Sequence, residues 1–216
     1  GYGLREEAHH IPVMIGSVFG EFSFAPSTFN KMELTKDTME EIISKVYGDR
    51  TKEMIQAFAK AYPDKNPTDL LYVDRAMRQP SKRLAKMHAE GGANVYLYDF
   101  TLEFPVMHSK IAWHCSDIPF FFHNIDKVEV CSIPEVSDKL QDQIFGAFMS
   151  FVKTGDPNHE KLPAWPKVTP QQEPTMIFDR KCEVRMNFDD ALYELIDSIL
   201  PPFSLTAIME TQDIQH

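Results

Sequence analysis

His114 and Glu21 are the residues whose types and settings point most directly to chemistry. The histidine stands in Ala112-Trp113-His114-Cys115-Ser116-Asp117-Ile118-Pro119-Phe120-Phe121-Phe122 and the glutamate in Gly16-Ser17-Val18-Phe19-Gly20-Glu21-Phe22-Ser23. Each comes just after an apolar, strand-like run. A histidine acts as a general base toward a hydroxyl only when its other ring nitrogen is held by an acceptor, which fixes the tautomer and stabilises the imidazolium. A carboxylate serves best in that role. Taken bare, the two residues carry little weight, because most pairs so far apart in a chain never meet. A nucleophilic serine in G-x-S-x-G does not occur in the sequence, nor does an H-G-G-G loop that would hold an oxyanion.

The elements that must position this pair alternate in type. Ile11-Pro12-Val13-Met14-Ile15-Gly16 reads as a strand buried on both faces. A helix follows with Met39, Ile42, Ile43, Val46 and Tyr47 on one face, Thr38 and Glu41 spaced as a capping box and Gly48 as its stop. A second apolar stripe runs through Met54, Ile55, Phe58, Ala61 and Tyr62. A third helix starts near Pro80 and stops at Gly91-Gly92, with Lys82, Arg83 and Lys86 read as a solvated face. Val95-Tyr96-Leu97-Tyr98-Asp99-Phe100 is the second strong strand. After the irregular segment bearing His114 comes a helix through Leu140, Ile144, Phe145, Phe148, Phe151 and Val152, capped by Ser137 and ended by Gly155. A short strand, Thr175-Met176-Ile177-Phe178-Asp179, precedes a last helix through Leu192, Leu195, Ile196 and Ile199, with Asp189 or Asp190 at its cap. The order is α/β, with few strands and several helices. Three strands are few for such a sheet, and the first wants neighbours on both edges. The chain therefore reads as the C-terminal part of a larger sheet.

Composition narrows the function. The 216 residues are 43% hydrophobic and 25% charged, enough for one sizeable core. A balance of 22 basic to 32 acidic residues argues against nucleic acid or an anionic membrane as partner. No apolar run approaches ~18 residues, so no membrane span is expected. Cys115, Cys131 and Cys182 form neither a disulfide framework nor a metal motif, and their sparseness favours a reducing, cytoplasmic compartment. His9-His10 with Glu6-Glu7 could bind a metal adventitiously, but the expected state is a flexible, solvated tail. No metal or organic cofactor is expected. Cys115 beside His114 suggests a Cys–His nucleophile pair, yet sequence neighbours usually point apart.

Both motifs resemble the C-terminal half of the type B carboxylesterase family, which includes cholinesterases and para-nitrobenzyl esterases. The family's acid sits in a pattern like I-G-x-x-x-D-E-G-S-x-F, whose spacing is kept by Ile15, Gly16, Glu21 and Ser23, with Phe24 one position short of the final phenylalanine. Its histidine sits in A-x-H-G-x-[ED]-[IL]-P-[FY]-x-F, which residues 112–122 follow closely. The stretch from Arg78-Gln79-Pro80 to Tyr98 resembles the family's helix leading into a strand. The segment from Phe148 to Asn158 resembles its F-A-x-T-G-x-P-N helix end, and Leu162-Pro163-Ala164-Trp165-Pro166 its W-P turn. The similarity runs in matching order over most of residues 11–180. Two positions depart: the family's Asp-Glu-Gly is Gly20-Glu21-Phe22, and the glycine after the histidine is Cys115.

The resemblance implies an α/β-hydrolase fold, with residues 1–216 as the C-terminal part of a single domain whose nucleophile-bearing part is absent. The family's chain order, serine then acid then histidine, places the serine upstream of Glu21. Glu21 would be the triad acid, His114 the base and Ser23 a support of the acid network. Phe120 and Phe121 would wall the substrate pocket or simply pack the core. The substrate would be a small carboxylic ester. The isolated chain, with the missing half of the hydrolase or self-association as its partner, would be inactive or nearly so. A non-catalytic, cholinesterase-like adhesion module is the alternative, as is a truncated product with no separate role.

Overall fold

The computed structural model describes residues 6–23 and 29–204. Among them a four-stranded sheet runs in the order β1 (Val13–Val18), β2 (Val95–Phe100), β3 (Pro174–Phe178) and β4 (Glu183–Met186). β1, β2 and β3 are parallel, so each connection between them must cross over the sheet, and each does so through helices. α1 (Lys36–Tyr47), α2 (Thr51–Ala61) and α3 (Arg78–Glu90) join β1 to β2, while α4 (Ile118–Phe121) and α5 (Ser137–Thr154) join β2 to β3. β4 turns back antiparallel on β3, and α6 (Asp190–Ile199) follows it. β4 escapes the sequence reading because Glu183-Val184-Arg185-Met186 is short and half polar, as an edge strand is.

Alternation along β2 explains how the sheet is covered. Val95 and Leu97 pack with Ala85 of α3 on one face. Tyr96 and Phe100 join Trp165, Met176 and Phe178 in the larger core on the other, where Leu140, Ile144 and Ala147 of α5 are also buried. Gly16 of β1 faces Tyr98 of β2 across the sheet, and a Cβ there would lie 2.4 Å from the tyrosine ring. Glycine thus lets Tyr98 lie over β1, and its hydroxyl donates to Asp117 Oδ2 at 3.2 Å, beside the histidine motif. β1 pairs on one side with β2, and among the described residues no strand occupies its other edge.

Several local expectations shift. The cap of α1 is Thr35 rather than Thr38: its side chain accepts the Thr38 N–H at 3.2 Å from an extended backbone. Ser137 begins α5 but turns its hydroxyl back to Cys131 O and Ile133 N. Gly155 closes that helix in the left-handed region, φ 76°. The N-terminal segment is not a solvated tail: Glu6–Ala8 form a single 3-10 turn, and the His9 ring lies over Gly91, where a Cβ would meet it at 2.7 Å.

The largest correction concerns the basic face of α3. Arg78 and Lys82 are buried. Arg78 Nε donates to Asp189 Oδ2 at 2.7 Å. Lys82 Nζ meets Asp189 Oδ1 at 2.7 Å, Asp190 Oδ1 at 2.5 Å and Glu173 Oε1 at 3.0 Å, and Lys86 Nζ reaches Glu173 Oε2 at 3.3 Å. Three cations oppose three carboxylates whose ligand atoms lie within 4.8 Å of one another. The Lys82 ammonium sits where a bound cation would. Burial pushes the Asp189 carboxyl up, but Arg78 and Lys82 outweigh it and hold it below the usual range. Asp189 therefore leaves the α6 terminus without a side-chain cap. Arg83 alone of the expected three keeps to the exposed side, near Gln79.

Candidate active site

The loop after β1 carries Glu21, and backbone pairing brings it to the histidine segment. Phe19 N–H bonds Phe100 O at 2.9 Å, and Gly20 N–H bonds Ala112 O at 3.0 Å. Gly20 also bridges Trp113 in parallel fashion. A Cβ on Gly20 would lie 2.6 Å from Ile111 Cδ1 and 3.0 Å from Ala112 O, so in this chain the glycine fits a space that a side chain would have to widen. Glu21 and His114, 93 residues apart, are thereby set side by side.

The carboxylate is fixed at both oxygens. Oε1 accepts the Val18 N–H at 3.0 Å, and Oε2 lies 2.6 Å from His114 Nδ1. Because the carboxylate can only accept, the neutral imidazole carries its proton on Nδ1 and donates it there. The Glu21 side chain is 8% exposed and that of His114 47% exposed. The acid is thus sequestered from water while the imidazole opens to whatever lies above it, the division of labour a positioned base requires.

His114 stands in a tight turn before α4. Ser116 Oγ accepts the Trp113 N–H at 3.1 Å, and Ser116 N–H returns to Trp113 O at 2.8 Å. Cys115 adopts φ 69°, the left-handed region that favours glycine, which explains why the family pattern has glycine there. Its thiol is exposed, and partial desolvation followed by the charges of Asp117 and Glu21 pushes its pKa up, away from the thiolate a nucleophile needs. Cys131 and Cys182 are free and buried.

Ser23 supports the loop through Lys110, whose Nζ donates to Ser23 O at 2.6 Å and lies 3.1 Å from Ser23 Oγ. Phe24 lies outside the described residues. Phe120 is wholly buried, 5.1 Å from Phe100 ring to ring, and Phe121 is buried against Tyr98 at 5.2 Å. Both make core contacts. A cavity of about 410 Å³ is lined by Phe22, Ser23, Asp74, Arg75, Pro201 and Phe203, among others, and touches neither Glu21 nor His114.

Two carboxylates near the dyad went unread in the sequence. Burial pushes Asp117 up, and the Glu21 charge adds to it. Burial likewise pushes Asp74 up to about 6, although its carboxylate accepts the N–H groups of Ala76, Met77 and Arg78 at the start of α3. The signal for Asp74 was local: an aspartate four residues before the first buried position of a helix is placed to satisfy open N–H groups.

A family model described as the carboxylesterase family matches residues 3–195. The chain belongs to the carboxylesterase family. Phenmedipham hydrolase of Pseudarthrobacter oxydans is 28% identical over 167 residues, covering 72% of this chain and 33% of the relative. Para-nitrobenzyl esterase of Bacillus subtilis is 26% identical over 183 residues, covering 82% and 36% respectively. The chain thus spans about a third of the length of these curated relatives. Among solved structures, an esterase from Clostridium hathewayi, described as able to hydrolyse aliphatic aromatic polyesters, is 52% identical with a TM-score of 0.86. That match covers 88% of this chain and 38% of the other. The fold is that of the α/β-hydrolases.

Proposed function

We propose that this chain is the C-terminal, acid-and-base-bearing part of a serine carboxylic ester hydrolase. The observation that carries the reading is the 2.6 Å contact between Glu21 Oε2 and His114 Nδ1, with the acid buried and the base open. In the reaction, His114 Nε2 takes the proton of a serine hydroxyl supplied by a preceding part of the domain. The serine oxygen bonds the ester carbonyl carbon, and the tetrahedral intermediate expels the alcohol, which receives that proton from His114. Water then gives a proton to Nε2 and its oxygen bonds the acyl carbon; the second tetrahedral intermediate releases the acid as the serine oxygen leaves and takes that proton back from His114. Glu21 holds the ring and stabilises the imidazolium.

The outer edge of β1, where no strand pairs among the described residues, supports the fragment reading, since a parallel edge strand extends naturally by one more strand. Its occupant is the nucleophile-bearing part of the same domain. The Clostridium hathewayi likeness makes esters of aromatic acids or alcohols the first substrates to try.

The test joins this chain to upstream coding sequence carrying G-x-S-x-G and measures turnover of para-nitrophenyl acetate. Activity sensitive to phenylmethylsulfonyl fluoride and abolished by His114→Ala is the expected result, with little or none from residues 1–216 alone. Robust inhibitor-sensitive hydrolysis by the isolated chain would sink the proposal.

A further inference from the structure

The chain beyond the family-matched residues turns back to the candidate dyad. The match ends at 195, within α6. Leu200 N–H closes that helix on Ile196 O, and Pro201 and Pro202 carry the backbone out of it. Arg75 Nη2 donates to Pro201 O, pinning the turn to the segment before α3. Phe203 then packs against Phe22, ring centroids 5.4 Å apart and planes 35° apart. Phe22 in turn lies nearly parallel to the His114 imidazole, 9° between planes and 6.3 Å between centroids. A second tie joins the same regions: Tyr193 of α6 donates to Asp74 O at 2.6 Å, and Asp74 N–H bonds Phe19 O, two residues before Glu21, at 2.8 Å.

Building on the reading of His114 as general base, we propose that Phe203 is a positioning residue that holds Phe22 parallel beside the His114 ring. The need for such a device follows from exposure. The His114 side chain is 47% exposed, and its Nδ1 contact with Glu21 fixes one end of the ring without by itself setting the tilt of the plane. A parallel aromatic ring beside it restricts that tilt. Phe22 is half-buried on a surface loop, and Phe203 packs against its ring. Phe22 occupies the position where the family pattern has glycine, so the wedge and its backing are features of this chain.

The test is kinetic, in the intact esterase, with para-nitrophenyl acetate. Phe203→Ala and Phe22→Ala are each expected to lower kcat about three- to tenfold, the size of one aromatic pair, with KM within about twofold. The double variant should be no worse than Phe22→Ala, because both act through one contact. Phe203→Tyr should restore kcat. Where Phe203→Ala fails to fold, Phe203→Leu keeps the apolar volume without the flat ring and should lose kcat alike. Losses that simply add in the double variant, an unchanged kcat, or an effect on KM alone would overturn the proposal. Activity surviving His114→Ala would overturn the reading of the dyad instead.

Discussion

Replacing Glu21 by glutamine in the intact esterase probes the dyad through the partners of both carboxylate oxygens. The carboxylate accepts twice, from Val18 N–H at 3.0 Å and from the His114 ring at 2.6 Å. A glutamine amide offers one accepting and one donating end. With its oxygen toward Val18, its NH2 faces Nδ1, which must then accept, and the ring proton moves to Nε2. A ring protonated there cannot take a proton from serine. With the amide reversed, NH2 meets the Val18 N–H and leaves a donor unsatisfied beside a side chain only 8% exposed, at a cost of about 1–3 kcal/mol. The imidazolium also loses its charged partner, a further loss of about 1.5–3 kcal/mol. Together these come to about 3–6 kcal/mol, roughly a 10²- to 10⁴-fold fall in kcat. Initial rates at saturating para-nitrophenyl acetate measure it, and nitrogen-15 shifts of the His114 ring report the tautomer directly. A variant keeping kcat within tenfold of the parent, or showing the Nδ1–H tautomer, refutes the argument.

Three further outcomes are expected. Lys82→Met preserves volume but leaves Asp189 and Glu173 buried with less opposing charge, so unfolding in urea should show a loss of about 3–5 kcal/mol; a loss under about 1 kcal/mol would mean Arg78 and Lys86 suffice. Burial, with Asp189 and Asp74 nearby, pushes Asp99 up to about 7 from 3.8 against the pull of Arg78 and Tyr62. The folded chain therefore keeps a proton that the unfolded chain has released, and this group removes stability as pH rises through that window. Asp99→Asn should flatten that decline between about pH 4 and 7, and a parent-to-variant difference constant with pH would contradict it. Cys115→Val puts a branched side chain at φ 69° and should melt lower than Cys115→Gly, by about 1–2 kcal/mol in stability; equal melting would show that the turn relaxes.

Local pattern carried much of this protein. The apolar runs at 11–16, 95–100 and 175–179 mark three of the four strands, because a parallel strand covered on both faces must be apolar throughout. Gly48 and Gly155 mark helix ends, where only a glycine takes the backbone turn easily. Glu21 and His114 were legible as candidates only through the family-like motifs around them, and in one of these the backbone explains the pattern, since residue 115 has the positive φ that favours the family's glycine. What the sequence by itself determined is thus most of the order of elements, β4 excepted, and the family pattern that makes Glu21 and His114 the candidate acid and base.

Tertiary structure decided what depends on partners far along the chain. Lys82 looks like a solvated lysine on a helix face until Asp189, 107 residues on, is folded against it. Asp74 and Asp117 have their carboxyls pushed up by burial, with the Glu21 charge adding to it, and Phe22 gains a ring partner in Phe203. Periodicity reports which side of an element is apolar, whereas a buried charge or a stacked ring is stable only because of what another segment brings to it. That pairing is a property of the packed fold, and no local window of sequence contains it.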